Sequence, residues 1–268
     1  MTESLFDNPV QPSQIASYQY YEQPLTERMR TFLRLDFLFQ QAHYFISRPS
    51  KMDSRVAITT LINLLELLNH GDIGKGALKD LDKFTSQMKG YLTYPNVDKH
   101  TLHQQLVELN EIRSKLIEAG LNLGSDLREN DFMNLIKHRS AIPGGACNFD
   151  IPTYAHWLRQ SYEKRASDLE TWFHTITPLH KAIQKILWLT RESSEYEDCV
   201  AKNGLFQKQL SKSSNMRLIR VGLPLGVSYY PEISGSQHRF SVRFYQIEDI
   251  NIRPKQTEAD INFRLFCC

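Results

Sequence analysis

The chain has 268 residues and a formal net charge of +2, with 41% hydrophobic and 23% charged residues, the make-up of a globular protein long enough for a sizeable core. So small a net charge excludes the strong global field of many nucleic-acid binders, and any basic patch must be local. The four cysteines, Cys147, Cys199, Cys267 and Cys268, have no CxxC spacing, which argues against a zinc site or redox motif and for free thiols in a reducing cytosol.

Residues 1–18 are polar, with Gln, Ser and Pro, and read as a loose N-terminal extension. The opening MTESLFDNPV has neither the basic n-region nor the apolar h-region of a signal peptide. No run approaches the roughly 18 apolar residues of a membrane span, so the expectation is a soluble, intracellular protein. From Thr26, a candidate N-cap followed by Glu27, apolar residues at helical spacing predict a first helix to about Phe45. A second starts near Ser54 and is broken by Gly71, Gly74 and Gly76. A third carries Leu78, Leu81, Phe84 and Met88, and ends before Pro95. A fourth spans about Asp98 to Ala119, where Leu102, Leu106, Leu109 and Leu116 suit close, nearly antiparallel packing. Further helices are predicted near 131–139, 152–161, 166–176 and 178–191.

After about Ser194 the period changes from 3.6 to 2. Arg217 to Leu223 alternates, as do HRFSVRFYQI and Ile261 to Cys267, with Pro231 and Gly235 as punctuation. The fold class is therefore α+β: a mostly helical domain over 19–194, built by antiparallel helix packing, and a smaller antiparallel β domain over 195–268.

Within the helical part, SAIPGGACNFDIPTYAHWL joins two helices across a connector at 140–153. A phosphate loop would need spaced glycines and a following Lys, whereas Asp150 would place a negative charge there. The simpler reading is a sharp turn at Pro143, Gly144 and Gly145, with Asp150 or Thr153 capping the next helix and Pro152 at its start.

No residue set argues for catalysis. His100 and His103 lie three apart with no third ligand nearby, HExxH is absent, and GLPLG at 222–226 has no central serine. Asp80 and Asp82 fall on different helix faces. No metal or cofactor is suggested. Arginine placement says more. If Phe240, Val242 and Phe244 pack inward, Arg239, Ser241 and Arg243 share the opposite face, with the two arginines about 13 Å apart. Arg30 and Arg34 likewise share one helix face. Were the pairs to converge, they would form a basic cleft for a carboxylate-bearing peptide. A module for nucleic acid or another acidic partner is the alternative, although no RRM, KH or HTH signature is present.

Three segments, PLTERMRTFLRLDFL, IPGGACNFDIPTYAHWL and YYPEISGSQHRFSVRF with the terminal Cys-Cys, together resemble the ZapD family of Z-ring-associated cell-division proteins over about residues 19–268. The resemblance implies a cytoplasmic homodimer acting at the division site. It implies no enzymatic activity, no nucleic-acid or membrane partner, and binding to the C-terminal tail of FtsZ through a positively charged pocket, so that filaments are cross-linked. By motif, the pocket arginines correspond to Arg30 and Arg34 in MRTFLR and to Arg239 and Arg243 in HRFSVR, with Arg128 in DLREN and Arg139 before the IPGG turn as further basic positions. Ala146 stands where the family often has the first of two cysteines, and the histidine after IPT is displaced by one position, at His156.

Overall fold

The computed structural model describes residues 18–69, 72–120, 123–143, 145–211 and 216–268. Two compact units emerge: residues 27–191, and residues 18–26 together with 192–268. The architecture is α+β, as the change of period predicts.

The first unit is helical. Helix α1 (Glu27–Ile46) packs on α2 (Lys51–Asn69), and α3 (Ile73–Tyr91) packs on α4 (Lys99–Glu118). They are followed by α5 (Ser125–Arg128), α6 (Asp131–Ser140), α7 (Pro152–Leu158), α8 (Tyr162–His174) and α9 (Thr177–Glu192). Met29, Phe32, Leu35, Leu38, Phe39 and Ala42 form the buried stripe of α1, and Leu102, Leu106, Leu109 and Leu116 form that of α4. Each fully buried side chain of this size stabilises the fold by about 1.5–3 kcal/mol. Asp98 caps α4 by accepting from the backbone N–H of His100 and Thr101.

Two local expectations change. Gly74 and Gly76 do not break the chain but lie inside the first turn of α3. The guanidinium of Arg28 crosses close over Gly76, where an added Cβ would stand 3.3 Å from its Nε, on its way to the buried Asp80 at 3.3 Å. Asp80 and Asp82 do diverge, since Asp82 pairs outward with Arg113 at 2.6 Å. In addition, neither Asp150 nor Thr153 caps α7; Ile151 is the N-cap and Pro152 fills the first turn. Asp150 instead meets Arg139 at 3.6 Å.

Arg165 ties the helices together. It is 3% exposed, and its guanidinium donates to Ser54 Oγ, to the carbonyls of Pro49 (2.8 Å) and Ser50 (3.3 Å), and to Gln160 O (3.3 Å). One side chain of α8 thereby gives a donor to the carbonyl of Pro49 just before α2 and to Ser54 Oγ in its first turn, and adds to the bond that Ser50 O accepts from the backbone N–H of Ser54.

The second unit is a sandwich of two antiparallel sheets. One has the order β1 (Tyr18–Pro24), β4 (Leu218–Pro224), β8 (Ile261–Cys267), β2 (Tyr196–Ala201). The other has the order β3 (Leu205–Gln209), β6 (Arg239–Gln246), β5 (Tyr229–Gly235), with β7 (Lys255–Gln256) also paired to β6. The chain leaves the first sheet for the second through Asn203 and Gly204, both at positive φ, the backbone that an Asn-Gly pair tolerates. Between the sheets, Phe263 meets both Phe206 and Phe244 with ring centroids 5.3 Å apart. Ile219, Val221, Val242 and Ala201 are wholly buried beside them.

Residues 19–26, given to the helical domain by the sequence reading, lie instead in the sandwich unit. Tyr18 to Pro24 pair in register with Pro224 to Leu218. Of the extension read over 1–18, only Tyr18 is among the described residues, and Gly144 of the connector also lies outside them.

Candidate partner-binding surface

Strand β6 sits between β3 and β5, so its alternation is enforced from both sides. Phe240, Val242 and Phe244 are buried, while Arg239 and Arg243 are exposed and Ser241 is half-buried between them. The neighbouring strands align polar groups on this outer face: Gln209 opposite Arg239, Gln207 and Ser234 opposite Ser241, and Glu232 opposite Arg243. Tyr230 and Tyr245 stack beside them at 6.0 Å. An open groove of about 700 Å³ is lined by Gln207, Gln209, Ser234, Ser236, Arg239 and Ser241, with no Asp or Glu among the described residues that line it. Lys208 also borders the groove, but its ammonium bonds Glu197, which raises its pKa. No ion pair holds Arg239 or Arg243 among the described residues. Such a face offers two exposed guanidinium groups and, around Arg239 and Ser241, neutral hydrogen-bonding side chains, which suits a carboxylate-bearing chain.

The remaining candidates belong to the helical unit. Arg30 and Arg34 share the exposed face of α1; Arg30 has Glu27 at 3.5 Å, and Arg34 lies over the exposed Phe37 ring at 5.7 Å. Arg128 and Arg139 are anchored differently. Arg128 donates to Asn69 Oδ1 at 2.9 Å and to the carbonyl of Leu123 at 3.2 Å, joining the end of α2 to α5. Arg139 closes the connector through Asp150.

That connector is held on several sides. The backbone N–H of Gly145 donates to Ile142 O at 2.8 Å, and an added Cβ there would fall 1.7 Å from Arg139 O, so only glycine fits. Arg55 of α2 donates to Ala146 O (2.8 Å) and Asn148 Oδ1 (2.7 Å), with its guanidinium 4.9 Å from the centre of the Tyr154 ring. Burial pushes the Tyr154 phenol up to about 12 although Arg55 pulls the other way. The connector is thus a structural clasp, and Arg55, not singled out by sequence reasoning, is its pin.

A further arginine cluster, also missed, occupies the outer face of the four-stranded sheet. Arg220 lies between Tyr20 (4.8 Å) and Phe266 (5.2 Å) and pairs with Glu22 at 3.0 Å. Arg264 lies between Tyr18 (4.0 Å) and Tyr196 (4.2 Å), with Asp198 at 3.9 Å. The alternating Tyr18 and Tyr20 and the outward positions 220 and 264 were the available signal.

Among the described residues, no three His, Cys, Asp or Glu side chains gather into a metal site, and no helix is long and apolar enough to cross a membrane. The profile of the ZapD family, described as a cell division protein, matches residues 33–243. The chain belongs to the ZapD family. It is 35% identical over 255 residues to the cell division protein ZapD of Coxiella burnetii, covering 95% of this chain and 99% of the other. It is 36% identical over 248 residues to that of Methylococcus capsulatus (92% and 97%), and 31% identical over 260 residues to that of Serratia proteamaculans (96% and 100%). ZapD is a family of cell-division proteins rather than an enzyme family, and a role in cell division follows for this chain.

Proposed function

We propose that this protein binds the C-terminal tail of FtsZ through its exposed arginines and, as a cytoplasmic homodimer at mid-cell, cross-links FtsZ filaments into bundles without catalysing a reaction. The observation that carries this reading is the outer face of β6, where Arg239 lines a groove without carboxylates among the described residues and Arg243 stands exposed on the same face. Arg30 and Arg34 add a second exposed pair on α1. Arg128 and Arg139 are further basic positions of the proposed site, each also tied to its own surroundings, Arg128 to Asn69 and Leu123 and Arg139 to Asp150.

A disordered tail loses conformational freedom on binding, so each contact is weak. A filament presents many tails, and two linked sites raise the apparent affinity through effective concentration. Steering between arginine and carboxylate is screened over about 10 Å at 0.1 M salt, so bundling weakens as salt rises. Co-sedimentation with polymerised FtsZ tests the reading. Full-length FtsZ is expected to pellet the protein and form bundles that salt disperses, and FtsZ lacking its C-terminal tail is expected to do neither. Equal pelleting with both forms would overturn it.

A further inference from the structure

The side of α1 opposite its buried stripe repeats at intervals of four and three: Arg30, Arg34, Phe37, Gln41, Tyr44 and, just beyond the helix end, Arg48. Phe37 is 55% exposed and Tyr44 is 54% exposed. A surface helix ordinarily shows polar residues on this side, and two large aromatic rings left in water forgo the stabilisation their burial would bring. Both rings are held beside cations. Arg34 lies 5.7 Å from the centre of the Phe37 ring. Arg48 lies 4.8 Å from that of Tyr44 and donates to its hydroxyl at 2.6 Å.

The charge on this face is one-sided. Of the two acids on α1, Asp36 is buried and Glu27 sits at the first turn beside Arg30. Arg48 has a loose pairing with Asp53 at 3.6 Å, and Arg34 has no carboxylate partner among the described residues. A second copy of the same face is a poor occupant, because it would set arginines against arginines. A segment of opposite charge with an apolar side chain between its carboxylates is complementary.

We propose that this face of α1 is a docking track for an acidic peptide with an apolar anchor: Phe37 and Tyr44 receive the anchor, and Arg34 and Arg48 hold carboxylates at either end. The inference rests on the reading of the FtsZ tail as the ligand and adds an apolar contact to the ionic ones. From Arg34 to Arg48 the track runs about 21 Å along the helix axis, the reach of about six residues of extended peptide. The ligand therefore carries its carboxylates about that far apart.

The test measures binding of a labelled FtsZ tail peptide to the full chain, across a salt series, for the wild type, Phe37→Ser, Phe37→Ser/Tyr44→Ser and Arg48→Glu. The double variant is expected to bind about tenfold more weakly with an unchanged salt slope, and Phe37→Ser alone several-fold more weakly. Arg48→Glu is expected to bind more weakly with a flatter salt slope. Wild-type affinity in both serine variants, while Arg34→Glu or Arg239→Glu loses binding, would overturn the aromatic track and leave the tail reading standing. No binding by the wild type would overturn both. A change confined to the mass of the double variant in analytical ultracentrifugation would make this face a self-association surface and overturn the proposal.

Discussion

The two outer faces of the β-sandwich carry the same residue type in the same alternation and use it oppositely. On the four-stranded sheet, Arg220 is 14% exposed at its side chain, set between two aromatic rings and bonded to Glu22. Its charge is satisfied where it stands, and its stem fills space between rings. On the sheet centred on β6, Arg239 and Arg243 point outward with no ion pair among the described residues. An arginine's role is therefore set by the contacts it makes and not by its place in the alternation. Flanking rings and a paired acid make Arg220 a structural brace, whereas Arg239 opposite Gln209, and Arg243 opposite Glu232 with no ion pair among the described residues, stay available.

If that distinction is right, removing braced arginines costs stability and removing available ones does not. The largest effect is expected at Arg165, the most deeply bound of the braced group. Arg165→Ala removes the buried guanidinium that bonds Pro49 O and Ser54 Oγ and should destabilise the protein by about 3 kcal/mol, seen as a fall of roughly 6–12 °C in Tm by calorimetry. A Tm within about 2 °C of wild type would show that water replaces the clamp fully. Arg220→Ala should cost about 2 kcal/mol, since it strands Glu22 and removes the cation that both the Tyr20 and Phe266 rings contact; urea denaturation read at the tyrosines checks this.

A smaller, pH-dependent effect is expected at His180. Its ring stacks on Phe39 at 4.5 Å, and burial, with His43 and Lys181 adding like charge, depresses its pKa from 6.5 to about 4. The unfolded chain takes up the proton near 6.5 while the folded one resists until about 4, so His180 leaves stability untouched above that window and lowers it as pH falls through it. His180→Gln should flatten the decline in Tm between pH 6.5 and 4, and an unchanged pH profile would remove His180 from the account. The smallest change in stability is expected for Arg239→Glu/Arg243→Glu, whose Tm should stay close to that of wild type because neither side chain braces anything.

Much of this was readable from the chain. Strand β6 declares itself because three large apolar residues alternate with Arg, Ser and Arg, and both faces came out as the alternation requires. Strand β1 did not, because YQYYEQP places tyrosine on both faces and has no aliphatic run, although its full pairing with β4 is unambiguous in the structure. Arg128 and Arg139 looked equivalent to Arg34 as charges in a motif. What separates them is partners far along the chain or across a turn, Asn69 for one and Asp150 for the other. The same limit hid Arg55, whose acceptors at 146 and 148 are about ninety residues away. Phe37 falls at helical spacing with the apolar residues of the first helix, and only the turned helix shows that it lies off the buried stripe.

The most direct test of the central claim is the affinity of a labelled FtsZ C-terminal tail peptide for wild type and for Arg239→Glu/Arg243→Glu, with circular dichroism on both. The account predicts weak, salt-sensitive binding of the single peptide by the wild type and a further loss of at least about tenfold in a variant whose spectrum and melting are unchanged. Equal affinity in a folded variant would contradict it.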